Sequence, residues 1–202
     1  MIFKLSIASL ISFILIALDV IFDGLLTKID HIIFPAIIDY HTNILDMIMV
    51  NITTLGNMKS MVIFSILISL VLFFRKDYIS VKFFIASMIG SSILMAGLKE
   101  LIGRARPQNY VLDMFQQGNS FPSGHASASM AFSLALFFII YPQINKLSQN
   151  FLIGFLSLFT ISIILSRVYF GVHYLSDVMG GAMLSIFWVL LMAWAFKLDK
   201  IK

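Results

Sequence analysis

An all-α, polytopic membrane bundle of six spans is the fold class the sequence predicts, and two observations predict it. Of the 202 residues, 60% are hydrophobic and only 12% charged, about half the charge of a soluble domain. With a mean hydropathy of +0.98, the apolar residues also gather in continuous blocks. An alternating pattern would suit a barrel; continuous runs suit helices, which satisfy their own backbone groups in lipid. One integral-membrane domain over residues 1–202 is expected.

Taken in order, the first run, 5–22, carries one basic flank, Lys4, and no small-residue cleavage site, so it reads as an uncleaved span. The second and third runs are 58–74 and 83–98, the fourth 124–141, the fifth 151–166 and the sixth 178–196. Residues 83–98 and 151–166 give only about 24 Å of helix against about 30 Å of hydrocarbon, so their charged ends are expected to snorkel, thin the bilayer or be buried against each other. Between the first two spans, Ile44, Leu45, Ile48, Met49 and Ile52 share one helical face, and residues 43–54 read as an interfacial amphipathic helix. It would lie flat over the bundle or wall a lipid entrance. His31 and His41 have no partner at a useful spacing and read as interface residues. Gly180, Gly181, Ala182 and Ser185 form a small-residue patch for close helix packing.

Six spans place both termini on one side. Lys4, Arg75, Lys76, Lys82, Lys146, Lys197, Lys200 and Lys202 lie on that side; Lys28, Lys59, Lys99, Arg104, Arg106 and Arg167 lie opposite, completing the 14 basic residues. At least three of the opposing cations have chemical work, so the balance predicts cytoplasmic termini. The pI near 9.4 therefore reads as topology, and no nucleic-acid partner is implied. The absence of cysteine excludes disulfides and thiolate metal sites.

The same span count brings three polar stretches to the face opposite the termini: "KELIGRARP" (99–107), "FPSGHAS" (121–127) and "SRVYFGVHYLSD" (166–177). Ionisable residues beside lipid are costly and mark function. Lys99, Arg106 and Arg167 supply three cations, two of them guanidiniums that grip oxyanions with paired donors. In "PSGH", Pro122 opens a helix whose free N–H groups, with the Ser123 hydroxyl and the close approach at Gly124, cradle an anion. Phosphate fits this description. If the chain is helical from 174 onward, His173 and Asp177 share a face at i, i+4. The carboxylate would fix the tautomer and free the other ring nitrogen to attack phosphorus. His125 would protonate the leaving oxygen. The cations already neutralise the developing charge, so no metal or other cofactor is required. Singly these residues also read as snorkelling ends, a helix-start acid, a turn and a satisfied histidine. Together on one face they make a site.

The three stretches resemble the signature of the type-2 phosphatidic acid phosphatase superfamily, which spans membrane lipid phosphate phosphatases and vanadium-dependent haloperoxidases. Lys-x6-Arg-Pro is met by Lys99 and Arg106-Pro107, Pro-Ser-Gly-His by Pro122–His125, and Ser-Arg-x5-His-x3-Asp by Ser166-Arg167, His173 and Asp177. The resemblance implies that Lys99, Arg106 and Arg167 bind phosphate with Ser123 and Gly124 assisting, that His173 is the nucleophile, Asp177 its orienting partner and His125 the general acid, and that the reaction is metal-independent and inhibited by vanadate. The haloperoxidase branch is soluble and longer. Arg104 and Glu100 fall at variable positions of the first motif and receive no catalytic role. The expected substrate is a lipid mono- or diphosphate cleaved at the outer face: undecaprenyl diphosphate, which an outer-face site favours, phosphatidylglycerol phosphate or phosphatidic acid. Two alternatives stay open: a lipid phosphotransferase, which these motifs do not separate from a hydrolase, and a non-catalytic lipid-binding or transport protein, which would need neither histidine. Oligomeric state is not legible.

Overall fold

The structure is a computed structural model and describes residues 1–38, 41–107 and 118–198. Among these it is all-helical: α1 (Ile2–Ile21), α2 (Leu25–Ile38), α3 (Asn43–Leu55), α4 (Met58–Phe74), α5 (Tyr78–Ile102), α6 (Gly124–Ile140), a 3-10 turn (Tyr141–Gln143), α7 (Lys146–Tyr169) and α8 (Leu175–Ala195). Five of the helices are long and apolar enough to cross a membrane, and α3 with α4, bent by 50°, makes a sixth candidate. The chain is a multi-pass membrane protein of the architecture expected.

Polar caps, not the edges of the apolar runs, set the helix ends. Asp77 accepts from the Ser80 amide at 3.1 Å to start α5, and Gly103, at φ 66°, ends it one turn past Lys99. Only glycine adopts that conformation without a Cβ penalty. Asn145 likewise starts α7. As a result α5 has 25 residues and α7 has 24, which corrects the expectation that these two spans fall short of the hydrocarbon thickness. Helix α2 is a second difference, because Lys28 and Asp30 interrupt its apolar run. It forms because Asp19 in α1 accepts from the Leu26 and Thr27 amides at 3.1 and 2.9 Å, and because buried Asp30 finds partners described below.

Helix α6 is the central element, packed on α5, α7 and α8, while α1 lies along α8. Its core face meets Phe83, Phe84, Ile163 and Val189. Where α5, α6 and α8 cross, the Ser91, Ser127 and Ser185 hydroxyls bond one another at 2.7–3.2 Å. Small hydroxyl residues of this kind let membrane helices approach and satisfy each other. Gly181 completes the crossing: a Cβ there would stand 2.5 Å from the Ser123 carbonyl oxygen. The small-residue patch on α8 thus presses directly on the first turn of α6. Large apolar side chains such as Ile63, Leu67, Phe151 and Leu158 are exposed, as lipid contact demands.

Candidate active site

Three chain segments meet at the ends of α5, α6, α7 and α8. In the stretch after α5 the Arg104 carbonyl accepts from the Ser120 amide at 2.7 Å, fastening it to the segment that leads into α6. Lys99 donates to the carbonyls of Asn119 and Ser120 at 3.0 and 3.2 Å. The Ser123 amide donates to the Asp177 carbonyl at 3.0 Å, joining the start of α6 to the start of α8. The lysine, the arginines, the "PSGH" turn and the histidine–aspartate pair therefore form one cluster, as the shared face required.

His173 is buried between opposite partners. Arg106 donates from Nη1 to the Val172 carbonyl at 2.9 Å and to His173 Nε2 at 3.1 Å. A guanidinium only donates, so Nε2 holds the lone pair and Nδ1 holds the proton. Nδ1 in turn faces Asp177 Oδ2 and the Ser120 hydroxyl, each at 3.3 Å. Burial pushes His173 down to about 4, with Asp177 opposing that shift and Arg106 and Arg167 adding to it. At neutral pH the ring is uncharged.

The route to the His173–Asp177 contact differs from the expected one. Helix α8 begins at Leu175 with Tyr174 as its cap, so His173 lies outside it. Asp177 reaches back instead: its Oδ2 accepts from the Tyr174 amide at 2.8 Å and from Ser120. The carboxylate caps its helix and holds the imidazole at once, uniting the structural and chemical readings of that residue.

On the other side, Arg167 is 1% exposed, with Nη1 donating to Thr53 Oγ1 at 2.5 Å. Its Nε and Nη2, and the Ser123 hydroxyl, are buried without a hydrogen-bond partner among the described residues. Orphaned donors of this kind are expensive, and an oxyanion carries the acceptors they lack. Ser123 caps α6 without using its side chain on the helix, leaving the hydroxyl for a ligand. His125 follows in the first turn and makes no side-chain hydrogen bond among the described residues. Its ring packs beside Gly56 at the α3–α4 bend. At Gly124 an added Cβ would meet only the end of Met95, at 3.4 Å, so packing within the protein does not demand glycine there.

Several residues escaped the sequence reading. Arg104 donates to Asp177 Oδ1 at 2.6 Å and to Asp30 Oδ2 at 3.0 Å. Ser120 touches both members of the His173–Asp177 pair, and Thr53 brings α3 to Arg167. His41 also has partners: Asp46 at 2.7 Å and the Tyr169 carbonyl at 3.0 Å. Five positions separate His41 from Asp46, and an interhelix loop, not helical spacing, creates the contact. His31 packs edge-on against Tyr174.

Fold and site together define a multi-pass membrane protein with a buried, cation-rich site around a histidine–aspartate pair. Residues 80–200 match the PAP2 superfamily, and the chain belongs to it. Phosphatidylglycerophosphatase B of Bacillus subtilis (strain 168) is 28% identical over 181 residues, covering 88% of each chain. A crystal structure of a transmembrane PAP2 type phosphatidylglycerolphosphate phosphatase from Bacillus subtilis matches with a TM-score of 0.86 and 24% identity, over 98% of this chain and 97% of that one. Aquifex aeolicus LpxE matches at TM-score 0.62 and 26% identity, over 79% of this chain and 92% of that one.

Proposed function

We propose that the protein hydrolyses the phosphate of a membrane lipid through a phosphohistidine at His173, without a metal. The observation that carries this reading is the setting of one imidazole. Nδ1 is turned to Asp177 while the Nε2 lone pair faces the Arg106 guanidinium at 3.1 Å. That is where a phosphoryl group held by Arg106, Arg167, Lys99 and Ser123, with Gly124 allowing close approach, would present its phosphorus.

In the first step Nε2 attacks phosphorus in line, the N–P bond forms, and the bond from phosphorus to the lipid oxygen breaks. Protonated His125 gives its proton to that leaving oxygen. Asp177 compensates the charge that His173 gains. In the second step His125, now neutral, takes a proton from water; the water oxygen attacks phosphorus, the N–P bond breaks, and inorganic phosphate leaves with His173 restored. The guanidiniums and the lysine stabilise charge on the equatorial oxygens throughout.

Phosphatidylglycerol phosphate is the first substrate to test, because the similar protein of Bacillus subtilis bears that activity in its name. Undecaprenyl diphosphate and phosphatidic acid complete the panel. Phosphate release from the three purified lipids, with EDTA present, tests the reading: turnover of at least one supports it, and activity that requires added metal contradicts it. Release of free phosphate also separates hydrolysis from transfer to another acceptor.

The cation balance supports cytoplasmic termini and an active site on the outer surface. A membrane-impermeant maleimide applied to intact cells is expected to label Glu100→Cys and spare Lys76→Cys; the reverse pattern would invert the topology.

A further inference from the structure

We propose that Arg104, anchored by Asp30 of α2, is a positioning residue that sets the Asp177–His173 pair for attack; the inference rests on the phosphatase reading above. Arg104 and Arg106 stand two positions apart on the segment after α5 and hold opposite ends of the pair. Arg106 reaches His173 Nε2, and Arg104 Nη1 reaches Asp177 Oδ1 at 2.6 Å. The carboxylate is then fully committed. Oδ1 belongs to Arg104, while Oδ2 is left for Ser120, the Tyr174 amide and His173. Without the first contact Oδ1 loses its partner, only the Oδ2 contacts restrain rotation of the carboxylate about Cβ–Cγ, and Nδ1 faces a less firmly fixed acceptor.

Arg104 itself is held from three sides. Nη1 also donates to Ser176 Oγ at 2.6 Å. Nη2 donates to Asp30 Oδ2 at 3.0 Å, and the guanidinium lies 4.3 Å over the Tyr174 ring. Asp30 meanwhile accepts from the Ser176 amide at 3.1 Å and from its hydroxyl. The side chains of Asp30 and Asp177 are 1% and 0% exposed. Two buried carboxylates thus share one cation, and removing it leaves both uncompensated. Burial disfavours the charge of Arg104, but Asp177 and Asp30 outweigh it and the net direction is upward. The engaged donors point at carboxylates and Ser176, in contrast to the unpartnered Nε and Nη2 of Arg167. Arg104 therefore acts through Asp177 and not on phosphate.

The test uses purified full-length Arg104→Gln, Arg104→Lys and Asp30→Asn proteins, with kcat and KM for the lipid phosphate and the inhibition constant of orthovanadate as the oxyanion probe. Arg104→Gln is expected to lower kcat about 100-fold, the scale on which supporting contacts act, while KM and vanadate inhibition change less than about threefold. Arg104→Lys, which keeps one charged donor, recovers about tenfold of that loss; Asp30→Asn loses about tenfold. Parallel loss of kcat and vanadate binding would overturn the proposal, making Arg104 a phosphate ligand or a scaffold residue. Unchanged kcat would overturn it as well. If Arg104→Gln does not fold, the lysine variant and Asp30→Asn decide on the same criteria. A wild type that cleaves no lipid phosphate defeats the function reading, and a readout without turnover then judges Arg104. The His173 titration midpoint, from C2-hydrogen exchange, is expected to fall in Arg104→Gln, because the Asp177 contact that raises it loses its fixed geometry. The charged and titratable groups facing this cluster are Asp30, Lys99, Arg106, His125, Arg167, Tyr174 and Asp177, and all are retained. No shift would overturn the positioning role.

Discussion

Replacing Gly181 with alanine probes how the bundle holds its anion cradle. The new Cβ would stand 2.5 Å from the Ser123 carbonyl oxygen, 3.2 Å from the Ser127 amide nitrogen and 3.3 Å from the Ala126 Cβ. Ordinary contact begins at 3.4 Å, so the carbonyl is too close by about 0.9 Å, and overpacking of this kind costs about 1–3 kcal/mol. The obstructing atom is backbone and cannot rotate aside. The same carbonyl accepts from the Ser127 amide in the first turn of α6, so α8 must recede or that turn must move, carrying Ser123 and His125 with it. A shift near 1 Å at reacting groups costs about 100-fold in rate. Lipid phosphate hydrolysis in detergent micelles, with thermal unfolding alongside, is expected to show kcat/KM about 100-fold lower and a reduced Tm. Gly154→Ala on α7 is the control, because nothing lies within 4 Å of its added Cβ; it is expected to keep full activity. A Gly181→Ala protein with unchanged kcat/KM would refute the claim that α8 sets the position of the α6 turn.

Three further outcomes are expected. Thr53→Val removes the acceptor for Arg167 Nη1 and strands a buried donor, at about 1–3 kcal/mol; KM is expected to rise while thermal unfolding locates the loss. Arg167→Lys offers one point charge where two unpartnered guanidinium donors stand, and kcat/KM is expected to fall about 10- to 100-fold with vanadate inhibition falling in step. His173 is expected to titrate near 4 by C2-hydrogen exchange. The sign is that of a buried imidazole whose neutral form is favoured: the lone pair is available above that pH and lost below it. At pH 5.5 an ordinary histidine of pKa about 6.5 would be only about one-tenth neutral, and a midpoint there would contradict the assignment.

The motifs were legible because their residue types are costly in a membrane and because six spans force them to one face. Lys99, Arg106, Ser123, Arg167, His173 and Asp177 all fall within that cluster. What the sequence hid has physical causes. Arg104 looks like any basic residue at a membrane surface, and its partner Asp30 lies 74 positions away on a helix whose apolar run is broken by that same aspartate. Thr53 meets Arg167 across 114 positions, and nothing in an amphipathic pattern marks one threonine of α3 as a contact to the site. Helix lengths were missed because hydropathy ends at the last apolar residue, whereas Asp77 and Asn145 set where α5 and α7 start and Gly103 sets where α5 stops. The His173–Asp177 contact was expected across a helical face, and a cap brings the two together instead.

Covalent capture tests the central claim most directly. Wild-type protein mixed briefly with 32P-labelled lipid phosphate in EDTA and quenched in base should carry an acid-labile label on the peptide containing His173, absent from His173→Ala. Label on His125 instead, or full turnover by His173→Ala, would contradict the mechanism.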